Sequence, residues 1–177
     1  MHPSTSSRQA RPLLRLEIDA AAVATDWRHC DRMANYLARL ASFDRTDAFL
    51  YSNLLSTVLN ELFEIVFWHH EVPGAVNCTL LRSGDTDRIE LEIPIDEPDR
   101  SFYETAVAQA QLPDAAVNYT RSMFGDATPD RAIGLLELAA DYGAGIWLES
   151  HPESAVVRLT VEVTLENGAT STAAISQ

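Results

Sequence analysis

The run from Thr46 to His70, TDAFLYSNLLSTVLNELFEIVFWHH, constrains this chain more than any other stretch. Leu50, Leu54, Leu55, Val58, Leu59, Leu62, Ile65 and Val66 recur every three or four residues, the spacing of one helical face. Asp44 or Thr46 is placed to cap its start, and Pro73-Gly74 stops it. Its last turns are nearly all apolar, so the helix is expected deep in a core. It also carries Asn60, Glu61, Glu64 and His69, and polar groups on a buried helix need partners. Two readings stay open: a site built on the helix, or a solvated edge of it.

The chain has 177 residues, enough to close one core of ordinary size around that helix. Hydrophobic residues are 46% and charged residues 22%, which places it with globular domains rather than disordered chains. The formal net charge of −13 argues against a nucleic-acid backbone or an anionic membrane surface as partner. No apolar run reaches membrane-spanning length. The opening MHPSTSSRQARP is polar and lacks an apolar h-region, so residues 1–12 are read as a disordered tail, not a secretory signal. Residues 13–177 are then expected to form a single domain, with a cytoplasmic location. Cys30 and Cys78 lie far apart and make no metal or redox motif; two buried thiols in a reducing compartment fit them.

Leu13–Ile18 alternates as a strand, and Ala20–Leu40 carries apolar residues at helical spacing, among them Val23, Trp27, Cys30, Ala34 and Leu37. After Pro73-Gly74 the period changes to two. Val76–Leu81 and Arg88–Ile95 read as a hairpin turning at Ser83-Gly84-Asp85, with Ile89, Leu91, Ile93 and Ile95 inward and Arg88, Glu90 and Glu92 outward. Pro94 marks a sheet edge or a strand end. Asp96–Asp99 reads as an acidic break. Helices are predicted over 101–111, 114–124 and 131–142, the last capped by Gly143. Strands follow at 146–149 and 156–165, and Asn167-Gly168 signals a turn into a short edge strand at 170–175. Hairpin strands separated by helices predict an α+β two-layer sandwich, with helices on one face of a mixed, mostly antiparallel sheet.

This order, with several local patterns between residues 13 and 165, resembles the histidine-kinase-like (GHKL) ATPase fold. Within it the chain looks like the anti-sigma-factor serine kinases of bacterial partner switching, and most like SiaB-type regulators. The family's first motif sets Glu, Asn and often His four residues apart on one helix; here Glu61, Ile65 and His69 occupy those places. The resemblance makes Glu61 the general base, but Ile65 has no oxygen to hold Mg²⁺. The second motif is Asp-x-Gly-x-Gly, its Asp reading adenine. Asp96 matches, whereas both glycines are gone and Pro98 has no N–H. Asp141–Gly145 spells the same pattern, but a helix cap followed by a strand start explains it. The third motif is a Gly-rich lid whose N–H groups hold phosphate; Gly134 matches it, followed by Leu135 and Leu136. The segment from 136 to 163 resembles the closing helix and strand pair.

The resemblance therefore implies a partner-switching regulator whose nucleotide site, at Ile65, His69, Asp96, Pro98, Gly134 and Leu135, is degenerate. ATP and Mg²⁺ would bind weakly or not at all, and action would come through a regulatory protein, a STAS-domain partner being expected. A homodimer is left open. One alternative is an active serine/threonine kinase using Glu61. Another is a sensor holding a flat aromatic ligand in the same cleft, where Trp68, Trp147 and Phe102 would be either lining or core. His69-His70 has no third ligand at metal spacing, and interaction with the helix terminus explains it. No Ser-His-Asp set, P-loop or Rossmann fingerprint is present. Partner capture is expected along Ser101–Phe124 and the loop to Arg131, with Tyr119 and Phe124 prominent.

Overall fold

The computed structural model describes residues 10–165, apart from 25, 27, 69–71 and 125–130. Trp27, His69, His70, Asn167-Gly168 and the strand expected at 170–175 lie outside the described residues. The elements run β1 (Arg11–Asp19), α1 (Ala20–Ala24), α2 (Arg28–Ser42), α3 (Ala48–Phe67), β2 (Ala75–Ser83) and β3 (Thr86–Pro94). They continue with α4 (Glu97–Ala110), α5 (Ala115–Phe124), α6 (Ile133–Asp141), β4 (Gly145–Glu149) and β5 (Val156–Thr164).

The five strands form one sheet in the order β1-β2-β3-β5-β4. Every pairing is antiparallel, so the sheet is more uniform than the mixed one expected. Hairpin connections and helical excursions return each strand beside its neighbour in the opposite sense. The β2–β3 turn is two residues long, and Gly84 supplies the positive φ of 64° it needs. Pro94 ends β3, which is an interior strand, so its missing N–H falls where the ladder stops.

Alternation sorts the sheet into two faces. Val76, Cys78 and Leu80 of β2, Ile89, Leu91 and Ile93 of β3, and Val157, Leu159, Val161 and Val163 of β5 are buried. The intervening residues form an open polar face laced by cross-strand pairs, Arg88 to Glu162 and Arg158 to Glu92 at 2.8 Å. Exposed pairs of this kind contribute little singly. The helices therefore cover one face, and α3 and α6 share a single apolar core with the buried strand positions. Each large aliphatic buried there is worth about 1.5–3 kcal/mol.

Local chemistry moves several boundaries. Asp47, not Asp44 or Thr46, caps α3 by accepting from the Leu50 N–H at 3.0 Å. Asp44 is drawn away to Arg11 at 2.7 Å and Arg82 at 2.6 Å. The helix expected over 20–40 is interrupted before Arg28, whose N–H bonds the Asp26 carboxylate at 3.0 Å, a restart cap. The supposed acidic break at 96–99 is the first turn of α4. Asp96 caps it through the Asp99 N–H at 2.9 Å, Pro98 suits the first turn, and Glu97 and Asp99 sit at the positive end of the helix dipole.

A charge network holds the α2–α3 corner to the hairpin. Arg82 and Asp87 face each other across β2 and β3 on the buried side of the sheet. Arg82 grips Asp87 through two bonds, at 2.7 and 2.9 Å. Tyr51 of α3 donates its hydroxyl to the same carboxylate, and Arg45 approaches it at 3.4 Å while lying 4.4 Å over the Tyr51 ring. Burial, with the Asp87 carboxylate next, raises the Tyr51 hydroxyl well above its usual range. Among the described residues no helix is long and apolar enough to cross a membrane.

Candidate functional site

Three of the residues singled out from the sequence meet where α3 crosses α6. Glu61 and Ile65 lie one turn apart on α3, and Gly134 is the second residue of α6. A Cβ at position 134 would stand 2.9 Å from Glu61 Oε2 and 2.9 Å from Ile65 Cδ1. Glycine thus lets the two helices close on each other, and their side chains fill the space. Ile65 is 3% exposed, and Leu135 points wholly into the core.

Glu61 is the charged group that this crossing perturbs most. Burial, then the nearby Glu137 and Glu64 carboxylates, raises its pKa from 4.5 to about 7. Burial, then the Glu137 and Asp141 carboxylates, raises the Tyr119 hydroxyl of α5, so α5 lies beside the same acidic cluster. Asn60 and Glu64 pair with one another at 2.7 Å on the next face of α3. Neither the Glu137 cluster nor its tie to α5 was read from the sequence; helical spacing could have placed Glu61 near α6 only once the α3–α6 crossing was known.

Asp96 and Pro98 are not brought into that crossing. Asp96 is committed as a cap, and Pro98 lines a neighbouring cleft of about 320 Å³ with Phe102, Thr105 and Ala132. Between the two regions stands Arg131, just before α6. Its Nε donates to the Ile65 carbonyl at 2.9 Å, its Nη1 meets Asp99 at 3.3 Å, and its guanidinium lies 4.3 Å over the Phe102 ring. Trp147 lines a different cleft from Phe102, and Trp68 is exposed at the end of α3, so the three aromatics do not form one pocket. Gly143, with φ 60°, leads from α6 into β4, so Asp141–Gly145 is a helix cap and strand start.

The residues do not fit a Mg²⁺-nucleotide as the resemblance would place it. Ile65 offers no oxygen and is packed on Gly134, and the Asp96 oxygen that accepts from Asp99 serves α4; the Asn60 amide donates to Glu64, while its Oδ1 is buried with no hydrogen-bond partner among the described residues. One part does suit chemistry: a carboxyl with a pKa of about 7 is poised for proton transfer.

No family model matches the chain, and no curated protein matches it. A solved structure does. A chain of "The crystal structure of SiaB-SiaC complex from Pseudomonas aeruginosa" aligns over 86% of this chain and 90% of its own, with a TM-score of 0.53 and 16% identity. The two chains share a fold.

The raised Glu61 pKa predicts a pH dependence. Folding holds the Glu61 proton more tightly than the unfolded chain does, so stability from this group is complete below pH 4.5 and falls as pH rises to about 7. Half-burial tempers the penalty to about 1–2 kcal/mol. Glu61→Gln should therefore stabilise the protein by that amount at pH 8 and flatten the slope between pH 5 and 7. Urea unfolding of both proteins across this range measures it; parallel curves would refute the assignment.

Proposed function

We propose that this protein is a partner-switching signalling regulator of the SiaB type, a degenerate relative of the histidine-kinase-like ATPases that works by binding a regulatory protein. The observation that carries the reading is the chain-long likeness to a protein crystallised in a complex with its partner. The α3–α6 crossing supports the degenerate half of it, because Ile65 and Gly134 pack on each other where the metal-holding oxygen would be needed. A STAS-domain antagonist is the partner this reading implies, and a cytoplasmic location goes with it.

The docking face is α5. Ala115 is its only buried residue, while Val117, Met123 and Phe124 are exposed, Phe124 by 85%. A helix so weakly committed to the core, with aromatic and Met side chains outward, has the composition of an interface centre. Phe124→Ala should weaken capture of a purified STAS-domain partner about tenfold. Circular dichroism should be unchanged, because Phe124 leaves no core cavity. Tyr119→Ala should weaken it as well, but it also removes a ring that lies beside the Glu137 carboxylate. Normal capture by both variants would remove α5 as the interface.

The raised pKa of Glu61 favours one second reading, an active serine/threonine kinase with Glu61 as general base. Calorimetry with Mg²⁺-ATP separates the two. The degenerate reading expects no micromolar affinity and no phosphoryl transfer. Turnover abolished by Glu61→Gln would establish the kinase.

A further inference from the structure

Helix α2 is built inside out with respect to side-chain size. Its core face is Cys30, Ala34, Leu37, Ala38 and Ala41, mostly small residues that let it lie close to α3. Its large residues point to solvent: Tyr36 is 64% exposed, Leu40 48%, and Phe43, one residue past the helix end, 77%. Residues 32, 36, 39, 40 and 43 repeat at four and three, so they share one face. Burial in the core does not account for these side chains, and contiguous exposed apolar surface marks a contact site.

The charges on this face are out of sign with the rest of the molecule. The chain carries 26 acidic and 13 basic residues. Helix α2 has three arginines and one aspartate. Arg28 is paired with Asp26 at 2.7 Å, and Asp31 is taken up by Asn35 at 2.9 Å. Arg32 and Arg39 form no ion pair among the described residues, and they flank Tyr36 along the helix. Seven residues separate them, about 10 Å at the helical rise. Aromatic, leucine and arginine side chains together are the make-up of an interface core, and unpaired cations beside them select an anionic counterpart.

We infer that the outer face of α2 is a second docking surface, for an acidic segment of another protein with carboxylates spaced to meet Arg32 and Arg39 around an apolar ridge. The surface is separate from α5, since α2 packs along α3 and α5 along α6. It does not depend on the function proposed above. A second copy is a poor occupant. Two-fold pairing of α2 helices about Tyr36 would set Arg32 against Arg39 of the other copy, like charge on like charge.

The test uses the full chain and a fluorescein-labelled helical peptide carrying two glutamates seven residues apart with leucines between them. Anisotropy should show saturable binding that weakens as salt rises. Arg32→Glu with Arg39→Glu should weaken it at least about tenfold, as should Leu40→Ser with Phe43→Ser, while Phe124→Ala leaves it unchanged. All four positions are exposed, and circular dichroism checks that the variants fold. The inference is overturned by absence of saturable binding or by equal binding of the charge-reversed variant. Equal binding of the same peptide with lysines for glutamates overturns it too. Stronger association with phosphatidylglycerol vesicles would assign the face to a membrane. Self-association lost in the same variants, seen by sedimentation, would assign it to a second copy.

Discussion

Asp87→Ala is expected to cost about 3–5 kcal/mol of folding stability, read as a drop in the urea midpoint at unchanged slope. The carboxylate has no solvent exposure and accepts from Arg82 twice, from Tyr51 once, and faces Arg45. Deleting it removes the buried acceptor that two guanidinium groups and a hydroxyl share in a low-dielectric corner, and leaves Arg82 with Asp44, a partner that is one-third exposed. That excess of buried positive charge over nearby carboxylate, rather than the intrinsic worth of the pair, sets the size of the loss. Replacing both sides at once separates the two. Arg82→Met with Asp87→Leu removes the facing pair together, leaving only the Arg45 charge, and should cost less than Asp87→Ala alone. A single-site loss below about 1 kcal/mol would mean that water reaches the corner and screens it.

This corner shows how far the sequence could be read. The inward alternation of Ile89, Leu91 and Ile93 was plain, and one step back along it stands Asp87; the same step forward from Val76, Cys78 and Leu80 reaches Arg82. Period two thus put a charge of each sign on the core face, and the hairpin register pairs them. A reading that ended the first strand at Leu81 and began the second at Arg88 passed over both. Strands, hairpin and the long helix were legible because burial repeats along them. The caps were not: Asp44, Thr46 and Asp47 are chemically equivalent candidates, and only the pull of Arg11 and Arg82 on Asp44 and the helix entry at Asp47 decide among them. The α4 start was misread because Asp-Glu-Pro-Asp serves a loop and a capped first turn equally well. At the candidate site, helical spacing correctly set Glu61 beside Ile65. It could not show that Gly134 is held between them, because glycine's part there is a missing Cβ at a crossing of two distant segments.

Arg131→Ala is expected to cost about 2–4 kcal/mol, the largest effect of a single change near the candidate site. The side chain is 17% exposed and joins three elements. The Ile65 carbonyl belongs to the last turn of α3, where backbone acceptors lose their helical partners, and the Arg131 Nε supplies one. A cation there also opposes the negative end of the helix dipole. The same guanidinium neutralises Asp99, itself only 13% exposed, and stacks on Phe102 of α4. A bond to a charged group contributes about 1.5–3 kcal/mol and an exposed cation–π contact less than about 1, so the sum falls in the stated range after partial solvent screening. Arg131→Lys should recover little, because one ammonium cannot reach a carbonyl, a carboxylate and a ring face together. In a double-mutant cycle with Phe102→Leu, the two losses should combine to less than their sum, since each removes the same stacking contact. Additive losses, or a lysine variant as stable as the parent, would show that Arg131 is a surface residue with incidental neighbours and not the tie between α3, α4 and α6.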